Sequence, residues 1–200
     1  MESVIFQKNN VLNENLCDDL INMFELNKIQ HKKGITLGGL DPTIKDTYDI
    51  VFSNTSSEYW SKCSKLIISI LYDNLKEWRK RFELSVPGTC ALPKHLTLNK
   101  PFILQKYEKN CGQYIYHNDF SISNSREYRV ATFIFYLNTV EQGGETEFMD
   151  KFRIKPAKGK LVLFPATWFY YHRGKMPISD NKYIITGWLY NDEFVQFLDN

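Results

Sequence analysis

The stretch Arg129-Val130-Ala131-Thr132-Phe133-Ile134-Phe135-Tyr136-Leu137-Asn138 decides the reading of the fold. Ala131, Phe133, Phe135 and Leu137 form one apolar row, and Val130, Thr132, Ile134 and Tyr136 alternate with them as a second. Successive side chains of an extended chain point to opposite faces, so two such rows describe a strand covered on both sides. Outward from it, shorter β-type runs occupy Phe102 to Tyr107, Gln113 to Asp119, Glu145 to Phe148, Lys160 to Phe164, Phe169 to His172 and Lys182 to Tyr190. Gly143-Gly144, Lys158-Gly159 and Met176-Pro177 punctuate them with turn chemistry. Many short strands at close intervals predict a double-sheet β-sandwich or jelly roll.

The first half reads differently. Leu16, Leu20, Met23 and Phe24 recur at helical spacing behind Asn13, a plausible N-cap, over Asn13 to Lys28. Thr55 and Glu58 fit a capping box, and Trp60, Cys63, Ile67, Leu71, Leu75 and Trp78 make one stripe that should lie against a sheet. Ser85, Pro87, Gly88 and Pro93 then break the pattern. The expected architecture is mainly β: one domain over residues 1–200, with helical support over about 1–84 and a jelly-roll core over about 100–192.

The bulk numbers narrow the function classes. Twenty-five Lys and Arg against 23 Asp and Glu, scattered along the chain, give no basic stripe for nucleic acid and no membrane-seeking face. The N-terminal MESVIFQKNN has no signal-like apolar stretch, and the run Leu66 to Leu71 is too short to span a bilayer, so a cytoplasmic protein is expected. Cys17, Cys63, Cys90 and Cys111 lie far apart without a CxxC and read as buried thiols. A peptide, protein or small-molecule partner is the natural expectation.

His117-Asn118-Asp119 closes a strand-like run, where residues two apart address one side and can share an ion. A third ligand is needed; among four histidines, His172 follows the aromatic run Trp168-Phe169-Tyr170-Tyr171 on a separate run that a jelly roll can bring alongside. Two histidines and a carboxylate on one octahedral face leave positions for co-substrate and oxygen, the arrangement of non-haem iron(II) oxygenases. The competing reading of His172 is a ring packed among aromatics. Ten residues on, Lys182 begins the run Lys182-Tyr183-Ile184-Ile185-Thr186-Gly187-Trp188 and carries a cation toward an apolar interior. Buried there, it would need an anion, which a metal-chelating dicarboxylate supplies at its far end; otherwise it is a surface lysine at a strand start.

The sequence resembles the prolyl 4-hydroxylase-like iron(II)/2-oxoglutarate-dependent dioxygenases over Phe102 to Tyr190. The ordered series is Tyr107, Gly112-Gln113-Tyr114, His117-Asn118-Asp119, Arg129-Val130-Ala131-Thr132, Tyr136-Leu137-Asn138, Gly143-Gly144-Glu145-Thr146-Glu147-Phe148, Pro156, Lys158-Gly159, Leu163-Phe164-Pro165, His172-Arg173-Gly174, Pro177 and Lys182-Tyr183-Ile184 with Trp188. The resemblance implies His117, Asp119 and His172 as iron ligands, Lys182 as the base for the remote carboxylate of 2-oxoglutarate, and Tyr107 as a phenol hydrogen-bonded to the co-substrate. It places Thr146 in that same pocket, and Tyr114, Arg129 and Trp188 near the substrate mouth. Cys111 stands where a proline is usual, and the stretch Phe120 to Tyr128 is short and polar. The implied cofactors are Fe(II), 2-oxoglutarate and O2, with ascorbate as an adjunct. The implied reaction is hydroxylation of a C–H bond, foremost in prolyl residues of a peptide or protein, with release of succinate and CO2. Two other readings stay open: a hydroxylase of a free amino acid or other small molecule, and a non-enzymatic cupin-like jelly roll that holds a metal.

Overall fold

The computed structural model describes residues 4–52, 57–83, 88–93, 96–98, 100–122, 127–149 and 151–191. Thr55, Ser85 and Pro87, singled out in the sequence, lie outside them. Two sheets of antiparallel strands face each other, and two helices cover the outer face of the larger one. The larger sheet runs β1 (Phe6–Lys8), β10 (Leu161–Pro165), β7 (Tyr128–Tyr136), β12 (Lys182–Asn191), β5 (Ile103–Tyr107), β4 (Tyr48–Val51) and β2 (Lys32–Lys33). The smaller runs β3 (Lys45–Asp46), β6 (Gln113–His117), β11 (His172–Gly174), β8 (Thr146–Phe148) and β9 (Arg153–Ile154). This is the expected jelly roll with N-terminal helices.

The central strand β7 is covered on both faces for the reason its sequence gives. Ala131, Phe133 and Phe135 join Leu104, Leu161, Leu163, Ile185 and Leu189 in the core under the helices. Ile134 and Tyr136, one residue out of phase, join Val162, Phe164, Ile184 and Phe148 between the sheets. Gly187 on β12 permits the first of these cores to close: a Cβ there would lie 2.7 Å from the Phe133 ring and 2.8 Å from Phe102 Cβ.

Helix α1 (Glu14–Leu26) starts at Asn13, whose side chain accepts from Asn15 N, and buries Cys17, Leu20 and Phe24. Helix α2 (Glu58–Arg79) buries the whole predicted stripe from Trp60 to Trp78. Its cap is Ser57, accepting from Trp60 N, so Glu58 is the first helical residue and not the third residue of a Thr55 box. The segment read as helical support also supplies β1 to β4, two to four residues each, too short for an alternation to register. The run Phe169 to His172 is likewise corrected: the strand is His172–Gly174, and Trp168 and Phe169 are exposed. Cys17 and Cys63 are buried, whereas Cys90 is half-buried and Cys111 exposed. Among the described residues no helix is long and apolar enough to cross a membrane.

Candidate active site

Three consecutive strands of the smaller sheet set up the site. His172 on β11 is the cross-strand partner of His117 on β6, so antiparallel pairing alone brings together two imidazoles 55 positions apart in sequence. Their ring centroids are 4.3 Å apart. Two residues further along, Gly174 pairs with Tyr114, so Ile115 and Tyr116 both oppose Arg173 in a β-bulge. Each histidine donates Nδ1–H to the carbonyl two residues back, His117 to Ile115 at 2.8 Å and His172 to Tyr170 at 2.9 Å. That bond fixes the tautomer and leaves both Nε2 lone pairs for an ion.

Asp119 lies beyond the end of β6, so strand alternation does not aim it, contrary to the sequence expectation. The bond from Thr132 on β7 does, donated to Asp119 Oδ2 at 2.7 Å, while Arg129 Nη1 donates to the Asp119 carbonyl at 3.4 Å. Its carboxylate oxygens stand 3.8 Å from His117 Nε2 and 3.7 Å from His172 Nε2, within reach of one ion at metal–ligand bonds of roughly 2.1 Å. Burial works against ionisation of Asp119, but the two imidazoles and the Thr132 hydroxyl outweigh it and lower the carboxyl pKa. Burial, and then the neighbouring His172, push His117 down and keep it neutral, the form that ligates. These are the only His, Cys, Asp or Glu side chains that cluster for a metal among the described residues.

The triad opens into a cavity of about 480 Å³ between the sheets, lined by all nine residues singled out in the sequence. On its opposite wall, Lys182 at the head of β12 is 1% exposed. Its ammonium donates to the Gly144 carbonyl at 3.1 Å and sits 3.8 Å above the centroid of the Tyr107 ring. Among the described residues no carboxylate pairs with it; Glu145, the acidic group that acts on it, is engaged by Lys175 at 3.2 Å. Burial therefore pulls the Lys182 pKa down to about 7. Tyr107 is the cross-strand partner of Lys182. Burial raises its phenol well above the ordinary range, so it stays protonated. Gly174 lets that ring approach, since a Cβ there would lie 3.1 Å from it. Thr146 and Tyr136 hydrogen-bond each other through their hydroxyls at 2.6 Å and tie the sheets together beside this pocket.

Tyr114 stacks on His117 with centroids 3.5 Å apart. Arg129 lies 3.6 Å over the Trp188 ring, a cation–π pair that holds both half-buried side chains in the cavity lining. Thr132, Tyr136, Lys45 and Gln105 also serve this region and are missed by sequence reasoning. Thr132 and Tyr136 read only as rows of a strand, and Lys45 begins a strand too short to detect. Behind the ligands, on the outer face of the smaller sheet, Glu147 accepts from Tyr116 Oη at 2.8 Å, from Arg173 Nε at 2.8 Å and from Arg153. Burial opposes ionisation of Glu147, but these bonds outweigh it and hold the carboxyl down to about 2.

Residues 102–190 match the family model described as the 2OG-Fe(II) oxygenase superfamily. That stretch, a little under half of the chain, is similar to a 2OG-Fe(II) oxygenase domain. Such an oxygenase takes Fe(II), 2-oxoglutarate and O2, and the donor set fits: two imidazoles and a carboxylate for the ion, and a buried cation across the cavity for a dicarboxylate. Solved structures share the fold of the oxygenase. The viral collagen prolyl hydroxylase of Paramecium Bursaria Chlorella virus-1 is 18% identical with a TM-score of 0.69, over 95% of this chain and 97% of that one. A Pseudomonas putida prolyl-4-hydroxylase is 15% identical with a TM-score of 0.68, over 94% and 92%. A Trichoplax adhaerens prolyl hydroxylase, solved with a hypoxia inducible factor oxygen degradation domain peptide fragment, is 19% identical with a TM-score of 0.68, over 99% and 88%. A search of curated proteins finds no match.

Proposed function

We propose that this oxygenase hydroxylates prolyl residues of a peptide or protein, with His117, Asp119 and His172 holding Fe(II) and Lys182 binding the remote carboxylate of 2-oxoglutarate. The observation that carries the reading is the ammonium of Lys182, sealed in the wall of the triad's own cavity without a carboxylate partner among the described residues. A buried cation in that state calls for an anion, and a dicarboxylate chelating the ion at its other end supplies one. When bound, Fe(II) and 2-oxoglutarate supply the oxidising chemistry: O2 puts one oxygen into the substrate C–H bond and one into the succinate formed with CO2.

The chain's own residues bind, orient and exclude water. Tyr107 faces the co-substrate as a neutral donor beside Lys182, with Thr146 and Tyr136 alongside. Thr132 holds Asp119, and the backbone carbonyls of Ile115 and Tyr170 hold the imidazoles. Tyr114, Arg129 and Trp188 shape the entry for the substrate.

A peptide in place of a free amino acid is favoured by the rim. Ile35, Leu37 and Phe120 line the cavity as exposed apolar side chains, and Trp168, packed edge-on against Phe120, extends that surface outside the lining, more than a single amino acid covers. The neighbours of this fold are prolyl hydroxylases, one of them solved with a peptide. Incubation of a proline-rich peptide panel with Fe(II), ascorbate and 2-oxoglutarate should add one oxygen to a prolyl residue and form succinate in equal amount, both read by mass spectrometry. Succinate formed on a free amino acid with no peptide modified would replace the peptide reading. No succinate under any condition would refute the oxygenase assignment of the site.

A further inference from the structure

Lys45 is a second lysine in the cavity wall, its side chain 6% exposed, and neither the metal nor the co-substrate accounts for it. Its ammonium donates to Asp49 Oδ2 at 3.0 Å. The same carboxylate accepts from Gln105 Nε2 at 3.1 Å and from Thr47 Oγ1 at 2.8 Å. The chain crosses here from β3 in the smaller sheet to β4 in the larger, so this polar group closes one corner of the barrel.

Strand register locates it. Asp49 is the partner of Gln105, Gln105 of Ile184, and Tyr107 of Lys182. Gln105 therefore lies two residues, roughly 7 Å, along β5 from the Tyr107–Lys182 rung. Lys45 Nζ lies 5.5 Å from the centroid of Tyr114, the ring stacked on His117. The group thus occupies the wall between the two ends of the site and touches neither.

A buried ion pair adds little stability over apolar side chains of the same volume, and this one faces a cavity. An ammonium has three donors, and Asp49 takes one. Gln105 turns its amide nitrogen to a carboxylate that only accepts, which leaves its side-chain carbonyl as an acceptor. The wall is therefore neutral as a whole while offering a donor beside an acceptor. In an extended chain the N–H and C=O of one residue point to the same side.

We propose that Lys45 and Gln105 bind one extended residue of the substrate backbone, Lys45 donating to its carbonyl and Gln105 Oε1 accepting from its N–H. Asp49 is a positioning residue that holds both and cancels the lysine's charge. That cancellation makes the wall select an amide over the carboxylate of a free amino acid, which would meet no net positive charge and the anion of Asp49. The inference rests on the proposed peptide substrate and supplies its recognition element.

Protein loaded anaerobically with Fe(II) and 2-oxoglutarate is titrated by calorimetry with N-acetyl-Pro-Ala-N-methylamide, N-acetyl-Ala-Ala-N-methylamide and free L-proline. The blocked peptides should bind in preference to proline, and Gln105→Leu should weaken them about tenfold, the worth of one buried hydrogen bond, with 2-oxoglutarate affinity unchanged. Lys45→Met alone strands a buried carboxylate and endangers the fold, so the paired change Lys45→Met with Asp49→Leu keeps the wall neutral; it should give the same selective loss. Unchanged peptide affinity in both variants overturns the proposal and leaves the prolyl reading standing, whereas tighter binding of free proline than of either peptide overturns the proposal and the peptide reading with it. Binding of the Ala-Ala peptide alone, lost in the variants, upholds the backbone contact and refutes the prolyl reading. Failure of both blocked peptides to bind overturns both.

Discussion

Replacing Lys182 by methionine should stabilise the ligand-free protein and at the same time cripple its binding of 2-oxoglutarate. Burial lowers the lysine pKa from 10.5 to about 7. The unfolded chain therefore holds the proton more tightly than the folded one, and the charge destabilises the fold. That cost is complete below pH 7 and disappears as the pH rises toward 10.5. At neutral pH it amounts to about 4 kcal/mol, since each tenfold loss of proton affinity on folding is worth about 1.4 kcal/mol. Methionine has a similar length and no charge, and should recover most of this. Urea unfolding of the Fe(II)-loaded protein without co-substrate should show the variant ahead at pH 7 and the two converging near pH 10. The co-substrate tells the opposite story: loss of a buried charge-assisted bond costs about 3 kcal/mol, or a hundredfold and more in Kd. Binding of the dicarboxylate should also return the lysine pKa upward, so the wild type, and not the variant, takes up a proton on binding between pH 7 and 10.5. Calorimetry in buffers of different ionisation enthalpy reads that proton. A variant that is less stable without ligand, or that keeps its 2-oxoglutarate affinity, would refute the role given to Lys182.

Thr132→Val removes the hydroxyl that orients Asp119 and should weaken Fe(II) binding by about tenfold or more with the fold intact, as measured by anaerobic metal titration. His172→Ala should abolish stoichiometric metal binding in the same titration, since it removes a ligand outright. Glu147 is a depressed carboxylate, so its contribution is complete above pH 4.5 and lost as the pH falls toward about 2. At most about 3 kcal/mol is involved, and the stability gap between wild type and Glu147→Gln should be wide at neutral pH and narrow in acid unfolding. Gly187→Ala should lower the melting temperature by an amount worth about 1–3 kcal/mol, because its Cβ has no room beside Phe133 and Phe102.

The parts of the molecule that can be read from sequence are those where one strand or helix carries its own pattern. The β7 alternation, the α2 stripe and the run from Lys182 are long enough for their periodicity to name the element and its buried faces. His117, His172 and Lys182 are legible because a charged or ligating side chain at a strand end is conspicuous among apolar neighbours. Asp119 is found through its spacing, although its orientation comes from Thr132 on another strand, a long-range contact that no local pattern contains. Lys45, Asp49 and Gln105 are invisible for a related reason: Lys45 and Asp49 are four residues apart across a turn between two very short strands, and Gln105 joins them only through the pairing of β4 with the distant β5. Strands of two or three residues carry too few positions for a period of two to be seen.

The ligand triad and the ammonium belong to different sheets, His117 and His172 to the smaller, Lys182 and Tyr107 to the larger. The span from ion to ammonium is therefore a sheet-to-sheet distance, set by what fills the roughly 10 Å between the layers. Phe148, Phe164 and Val162 gauge that gap without lining the cavity, so under the proposed binding mode the barrel's interior would act as a ruler for the length of the dicarboxylate. Trimming Phe164 would shorten the ruler and shift preference toward a smaller diacid, although no residue that touches the diacid had changed.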